Sequence, residues 1–80
     1  MTSWEQTIKY MNDIEVGECL LHLNVRNIII SKSELHRYSR KNKYYYIVTI
    51  CDEKYGRQKI IYSDHDKCTI LSKKRMRIIV

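Results

Sequence analysis

Residues 44–51 limit the fold of this chain more than any other segment. They read Tyr-Tyr-Tyr-Ile-Val-Thr-Ile-Cys and contain no charge, glycine or proline. Aromatic and β-branched side chains pack well on a pleated surface, so the segment predicts a β-strand. Residues 54–57 follow as a predicted turn in which Gly56 provides a positive φ. Residues 58–62 are then expected to pair back as the second strand of a hairpin.

Residues 19–26 show a second strand signal, because apolar and polar side chains alternate with the two-residue period of a half-buried strand. Asn27 is expected to interrupt this strand. The three isoleucines at 28–30 then form either a second extended stretch or a continuation past a β-bulge.

The end of the chain predicts two more strands. Residues 63–67 are a turn cluster, residues 68–71 a short strand, residues 72–75 a basic connection and residues 76–80 a last strand. These segments extend the hairpin into an antiparallel meander.

The first segment, residues 3–14, has a different pattern and predicts a helix. Trp4, Ile8 and Met11 recur at helical spacing, and Ser3 is suited to cap the first turn because its hydroxyl accepts a hydrogen bond from a free amide. We expect this helix to pack on the sheet through its three apolar side chains.

Residues 31–42 allow two interpretations. Ser31 and Glu34 have the spacing of a capping box, and Leu35 and Tyr38 would share one helical face, which favours a short second helix over residues 32–41. A long β-hairpin arm is the alternative.

Together these segments predict one small α+β domain over residues 1–80, with an N-terminal helix packed on an antiparallel β-meander of four to five strands. A chain of 80 residues is too short for a second domain. If residues 31–42 are helical, the order helix, strand, helix and hairpin also resembles a winged helix. In that alternative Arg37, Arg40 and Lys41 would enter a groove of DNA.

The net charge of +6 is concentrated in two basic blocks. Residues 32–43 hold five basic residues and one acidic residue, and residues 73–80 hold four basic residues and no acidic one. The basic residues of the two blocks are Lys32, Arg37, Arg40, Lys41, Lys43, Lys73, Lys74, Arg75 and Arg77. Such blocks attract nucleic acid because each neutralised phosphate releases counterions. Tyr44 and Tyr46 adjoin the first block, and aromatic rings beside cations are typical of proteins that stack on bases.

These residues predict a non-enzymatic accessory protein that contacts nucleic acid, or a nucleoprotein complex, through the basic blocks and the neighbouring tyrosines. The alternative is a protein-binding inhibitor or modulator of a host enzyme or defence complex. Such a protein would present the same basic face to an acidic partner, or offer an edge strand at residues 28–30 or 76–80. A homodimer through either edge is equally allowed.

Catalytic and cofactor motifs are absent from the sequence. Two glycines cannot form a phosphate-binding glycine-rich loop, and residues 64–66, Asp-His-Asp, are typical of a turn. Cys19 and His22, like His65 and Cys68, are three positions apart. In the predicted strand, residues at this spacing point to opposite faces, which argues against a shared metal ion. We therefore expect no enzyme activity, metal or cofactor.

Composition bears on origin and location. The chain has no alanine and no proline, whereas Ile, Lys, Tyr and Asn make up 32 of its 80 residues, a bias that indicates an AT-rich gene of the kind found in bacteriophages and other viruses. The odd number of cysteines, the lack of a long apolar run and the N-terminal residues predict a cytoplasmic protein, in the host cell if viral, without a membrane segment or signal peptide.

Overall fold

The computed structural model describes residues 2–40 and 42–75, which form an antiparallel sheet and not the predicted α+β domain. In this part of the chain the longest helical element is the 3₁₀ turn Met11–Asp13. The strands are β1 (Thr2–Tyr10), β2 (Cys19–His22), β3 (Val25–Lys32), β4 (His36–Arg37), β5 (Tyr44–Asp52), β6 (Gly56–Ser63) and β7 (Lys67–Arg75). The described residues include no helix with the length and apolar character needed to cross a membrane.

The sheet has the strand order β1-β7-β2-β3-β5, and β5 also pairs with β6 and with the short β4. Strand β7 returns between β1 and β2, so the predicted short strand and basic connection are one continuous strand. β1 pairs with β7 along its whole length, from Thr2 opposite Arg75 to Tyr10 opposite Lys67. The predicted last strand, residues 76–80, lies outside the described residues.

The predicted N-terminal helix is wrong, because residues 2–10 form β1. A spacing of four, as between Trp4 and Ile8, fits a helical turn and also two strand repeats. Tyr10 continues the strand face, whereas Met11 begins the 3₁₀ turn and is fully buried. The backbone of β1 finds its hydrogen-bond partners on β7, which is 57 to 73 positions away in the sequence, and this pairing overrides the local helical pattern.

The predicted second helix at residues 32–41, and with it the winged-helix alternative, is also wrong. Two residues of this region, His36 and Arg37, pair with Tyr45 and Tyr44 as β4. The following loop is closed by a 3.0 Å hydrogen bond from the backbone N–H of Tyr38 to the carbonyl of Lys43. The region is therefore a short arm beside β5.

The first hairpin turns earlier than predicted. Leu23 and Asn24 have φ values of 50° and 62°, as both central residues of a type I′ turn require, and they separate β2 from β3. Leucine is rare in this conformation, which is why the turn is hidden in the sequence. Asn27 does not break the chain but lies buried within β3.

The second hairpin, β5 with β6, forms around Gly56, which has a φ of 73°. The Asp52 carboxylate accepts a hydrogen bond from the backbone N–H of Tyr55 and thereby supports the turn. Residues 28–30, in contrast, lie on β3 between β2 and β5, so they are not the free edge proposed above for partner binding or dimerisation.

The core lies on one face of the sheet, termed the inner face, and includes Met11 and Ile14 from the segment between β1 and β2. Its largest fully buried side chains are Met11, Ile14, Leu20, Ile29, Val48 and Ile50. A bulge between Ile29 and Ser31 shifts the register of β3 and directs Lys32 toward this face. The Lys32 ammonium donates to the carbonyls of Met11 at 2.8 Å and Ile14 at 2.7 Å and lies 4.3 Å from the Tyr46 ring centre. Burial lowers the pKa of Lys32, although three carboxylates of residues 13–18 oppose this.

Candidate functional site

The outer face of the sheet, opposite the core, carries only positive charge on the described strands. Residues directly opposite in an antiparallel pair share a face, so the register of each strand pair identifies the side chains on it. Ile28 lies opposite Cys51 and Cys19, and Cys19 lies opposite Leu71. The same register, followed across the whole sheet, identifies the other side chains of the outer face. Its charged strand residues are Arg26, Arg57, Lys59, Lys67 and Lys73.

Trp4 is an exposed aromatic residue of this face and lies on the edge strand β1. Its side chain is 39% exposed, the Arg26 guanidinium lies 4.8 Å from the ring centre, and the Lys73 ammonium lies 5.6 Å from it. Trp4 lies on β1, Lys73 directly opposite on β7, and Arg26 two strands further on β3. Residues far apart in the sequence thus assemble an indole flanked by two cations.

These three residues line a groove of about 680 Å³, termed the tryptophan groove. Its apolar lining includes Cys19, Ile28, Ile30 and Cys51. Burial raises the pKa of Cys19, although Arg26 opposes the shift, so its thiol is neutral at pH 7. Two carboxylates, Asp52 and Glu53, border the groove at the β5–β6 turn beside Lys54. The groove therefore combines an apolar surface with a cationic side and an acidic rim at one end.

Tyr10 continues the exposed aromatic surface along β1. It is 44% exposed, and the Lys67 ammonium from the opposite position of β7 lies 6.0 Å from its ring centre. The His65 ring meets Tyr10 edge to face at a centroid distance of 5.9 Å. The pairing of an exposed ring with a lysine from β7 is thus repeated six residues after Trp4.

A second depression, termed the loop pocket, lies at the other end of β5. It has a volume of about 520 Å³ and is lined by Tyr38, Ser39, Arg40, Lys43 and Ser63. Tyr45, on the outer face of β5, stacks with His36 at 5.2 Å between ring centres and contacts the tilted ring of Tyr38 at 4.5 Å. The loop is held by the Tyr38 to Lys43 backbone bond and by a 2.9 Å bond from Arg37 to the Asn42 side chain.

The structure distributes the residues predicted from the two basic blocks over three environments. Lys32 and Tyr46 are engaged on the inner face, where Tyr46 is 8% exposed and its hydroxyl donates to Asn12. Tyr44 is partly exposed on the inner-face side of β5, and Arg37 bonds to Asn42. The remaining described side chains divide between the loop pocket, with Arg40 and Lys43, and the tryptophan groove, with Lys73. Lys41, Arg77 and the side chains of Lys74 and Arg75 lie outside what the structure describes.

The groove and the loop pocket lie toward opposite ends of β5. Cys51 lines the groove, whereas Tyr45 and its opposite residue Ser63 belong to the pocket end. Cys51 lies six positions after Tyr45 on β5, a distance of about 20 Å at roughly 3.3 Å per residue. The two basic blocks are therefore not merged into one site but contribute to two ends of one surface.

Trp4, Arg26 and Tyr10 were missed by the sequence reasoning. The spacing of Trp4, Ile8 and Met11 predicts a helix that packs on the sheet through Trp4, and Arg26 lies in neither basic block. A signal for the surface was nevertheless present, because Trp4, Ile8 and Tyr10 are all at even positions and would share one face of a strand. Arg26 could be placed beside them only once the pairing of β2 with β7 was known.

The residues considered for metal binding and catalysis do not assemble into a site in the described chain. Cys19 is on the outer face and His22 on the inner face, where His22 Nδ1 lies 3.3 Å from the Tyr62 hydroxyl. Burial raises the pKa of Tyr62 to about 12, so this hydroxyl keeps its proton at neutral pH. The described residues include no group of three or more His, Cys, Asp or Glu side chains arranged to hold a metal ion.

Comparison of this chain with known protein families, with curated proteins and with solved structures finds no match.

Proposed function

We propose that this chain is a non-enzymatic accessory protein that contacts nucleic acid through the outer face of its sheet. The observation that carries the proposal is the tryptophan groove, where Arg26 and Lys73 flank the exposed Trp4. On the described strands the charged side chains of this face are basic and attract phosphates, whereas the two carboxylates that border the groove, Asp52 and Glu53, lie at its β5–β6 end. Arg26 adds a planar guanidinium that is able to bind phosphate in a bidentate manner.

The exposed rings favour a single strand as the ligand. A base stacks on an aromatic side chain only when its own face is free, and stacking contributes about 1–3 kcal/mol per base. Trp4 and Tyr10 both lie on the outer face of β1, and each has a β7 lysine beside it. Bases on these rings would leave the phosphates near Lys67, Lys73 and Arg26.

The proposal is tested by fluorescence anisotropy with labelled single-stranded and double-stranded DNA and RNA, titrated at about 50 and about 200 mM salt. We expect saturable binding with a preference for one of the single strands. The double variant Arg26→Gln/Lys73→Gln should weaken binding at least tenfold and reduce the slope of log affinity against log salt by about 1.4, since two phosphate contacts are lost.

Lys9→Gln is the matched control for charge, because Lys9 lies on the opposite face and pairs with Glu18 at 2.7 Å. It should leave the salt slope as in the wild type. Trp4→Leu should lower affinity about tenfold without changing that slope, because it removes stacking and not charge. A wild-type protein that binds none of the oligonucleotides at about 50 mM salt would refute the proposal.

A second candidate function is the capture of a host protein, as an inhibitor or modulator. The observation that favours host-protein capture is the edge position of β1, whose nine residues pair with β7 alone in the described sheet. An edge strand is able to pair with a β-strand of a partner protein. Affinity purification from host extract distinguishes the two functions. A stoichiometric protein partner that survives nuclease treatment favours this candidate, and loss of all partners on nuclease treatment favours nucleic-acid binding.

A further inference from the structure

We infer that the loop pocket binds the terminal phosphate monoester of the nucleic-acid strand that lies on the outer face. This inference rests on the proposed function and adds to it which chemical group, a phosphate monoester, ends the bound nucleic-acid strand. The lining of the pocket carries the argument: Tyr38, Ser39, Arg40, Lys43 and Ser63 all bear a hydrogen-bond donor, and none is a carboxylic acid.

The charge of the pocket matches a monoester better than an internal phosphate. A terminal phosphate carries between −1.5 and −2 charges at pH 7 because its second pKa is about 6. An internal phosphodiester carries a single negative charge. Arg40 and Lys43 provide two positive charges, and the hydroxyl groups of Tyr38 and Ser39 are able to donate to the additional phosphate oxygen.

The two cations are available for a ligand. Among residues 2–40 and 42–75, neither Arg40 nor Lys43 has a carboxylate within 4.0 Å. The nearest acidic residue in sequence to the pocket lining, Asp64, accepts a weak 3.4 Å bond from the Ser63 hydroxyl but faces His65 at 2.9 Å. The hydrogen bond from His65 lowers the pKa of Asp64, so this carboxylate is ionised at neutral pH, with His65 as its nearest partner.

The pocket is preorganised by its own loop. The backbone bond from Tyr38 to Lys43 and the side-chain bond from Arg37 to Asn42 both span the loop, and the Tyr38 ring is held against Tyr45. These contacts hold Tyr38 and Lys43 at the two ends of the loop, so these two donors need little ordering when an anion binds.

The distance between the loop pocket and the tryptophan groove is short enough for one oligonucleotide to reach both. A nucleic-acid strand that joins the pocket to Trp4 runs about 20 Å along β5 and also crosses the four strand spacings of about 4.8 Å between β5 and β1. The combined distance corresponds to about eight nucleotides at 3.4 Å per stacked nucleotide, and to fewer in an extended nucleic-acid strand. Between the two ends the outer face presents Lys59 and Ile61 of β6. A terminal phosphate in the pocket would thus place later bases at Trp4.

The test compares eight-nucleotide single strands of one sequence that end in a 5′ phosphate, a 3′ phosphate or hydroxyl groups only. We expect one of the two phosphorylated ends to raise the affinity of the wild type about tenfold. Arg40→Gln/Lys43→Gln should abolish this gain while binding the hydroxyl-ended strand within about threefold of the wild type. Excess inorganic phosphate should abolish the gain for the wild type, whereas chloride at the same ionic strength should not.

Arg57→Gln/Lys59→Gln is the matched control, because it removes two cations from the outer face outside the pocket. It should weaken all three strands alike and keep the gain from the terminal phosphate. Equal wild-type affinity for all three strands would overturn the inference and leave the proposed function intact, whereas failure to bind any strand would remove the proposed function itself. A phosphoserine peptide that binds the wild type as tightly as the phosphorylated strand would also overturn it, in favour of a protein ligand.

Discussion

The two faces of the sheet each hold a lysine beside an aromatic ring, and the two pairs differ in every other respect. On the inner face, the Lys32 ammonium lies over Tyr46, and both are engaged, the lysine by the carbonyls of residues 11–14 and the tyrosine by Asn12. On the outer face, Lys73 lies beside the exposed Trp4. A cation next to a ring is therefore not by itself a binding site. What distinguishes the outer pair is its access to solvent.

The face on which a residue lies is decided within a few positions of the chain. Ile28 and Ile29 are adjacent, yet Ile28 lines the tryptophan groove and Ile29 is part of the core. Lys32 would belong to the outer face if β3 were regular, because it has the parity of Ile28 and Arg26. The bulge after Ile29 reverses that parity and turns the lysine inward.

The largest expected difference between the faces is tested with the neighbouring isoleucines. Ile29→Ala should lower the free energy of unfolding by about 3 kcal/mol, because it leaves a cavity in a side-chain site that is 1% exposed. Ile28→Ala, at a site 53% exposed, should cost less than about 1 kcal/mol. Urea denaturation of both variants measures the difference, and equal losses would contradict the assignment of the two faces.

A smaller effect is expected for the two lysines. Lys32→Met should lower the free energy of unfolding by about 2 kcal/mol, since two carbonyls lose their charged donor. Lys73→Met should leave the stability within about 0.5 kcal/mol of the wild type and weaken oligonucleotide binding. If Lys73→Met destabilised the fold as strongly as Lys32→Met, the contrast between an engaged and an available lysine would be lost.

The smallest effect concerns an ion pair of the inner-face side, Lys9 with Glu18. Burial would raise the pKa of Glu18, but the hydrogen bonds from Lys9 and from the Glu15 N–H outweigh it and lower the pKa below its usual value. The folded state thus holds the carboxylate more strongly than the unfolded state, and this contribution is present at neutral pH and lost as pH falls below about 4.5. This contribution should be small because both side chains are partly exposed to solvent, which screens the pair.

Urea midpoints at about pH 7 and pH 3 measure this contribution. Glu18→Gln should lower the urea midpoint at neutral pH, and its midpoint should fall less between about pH 7 and pH 3 than that of the wild type. Part of the fall should remain, because the pKa of Asp64 is also lowered in the folded state. A variant whose acid dependence equals that of the wild type would show that the ion pair does not contribute.

Strands with a local signal are predictable from the sequence, whereas a segment whose pattern fits two structures is not. Residues 44–51 and the turn at Gly56 formed the expected hairpin, since aromatic and β-branched residues with a glycine turn leave little choice. The spacing of Trp4 and Ile8 fits both a helix and a strand, and the helix was the wrong choice. The turn at Leu23 had no glycine to reveal it.

The candidate site was predictable only in part, for the same reason. Composition and charge identified the two basic blocks, and Arg40, Lys43 and Lys73 of these blocks border the loop pocket or the groove. Tyr46 was expected to stack on bases, but one residue of shift along β5 separates it from Tyr45, which lies on the outer face. Sequence alone does not tell which parity faces the core when both neighbours are tyrosine.

The sequence by itself determined the positive charge of the chain, its strand-rich second half and its lack of catalytic motifs, because these depend on residue types and short spacings. Only the tertiary structure decided that β1 is a strand, that Arg26 and Lys73 meet at Trp4, and that Lys32 points inward. Each of these depends on pairing between distant strands or on a bulge, and such pairing is governed by backbone hydrogen bonds and burial across the sheet, which leave no mark in local sequence.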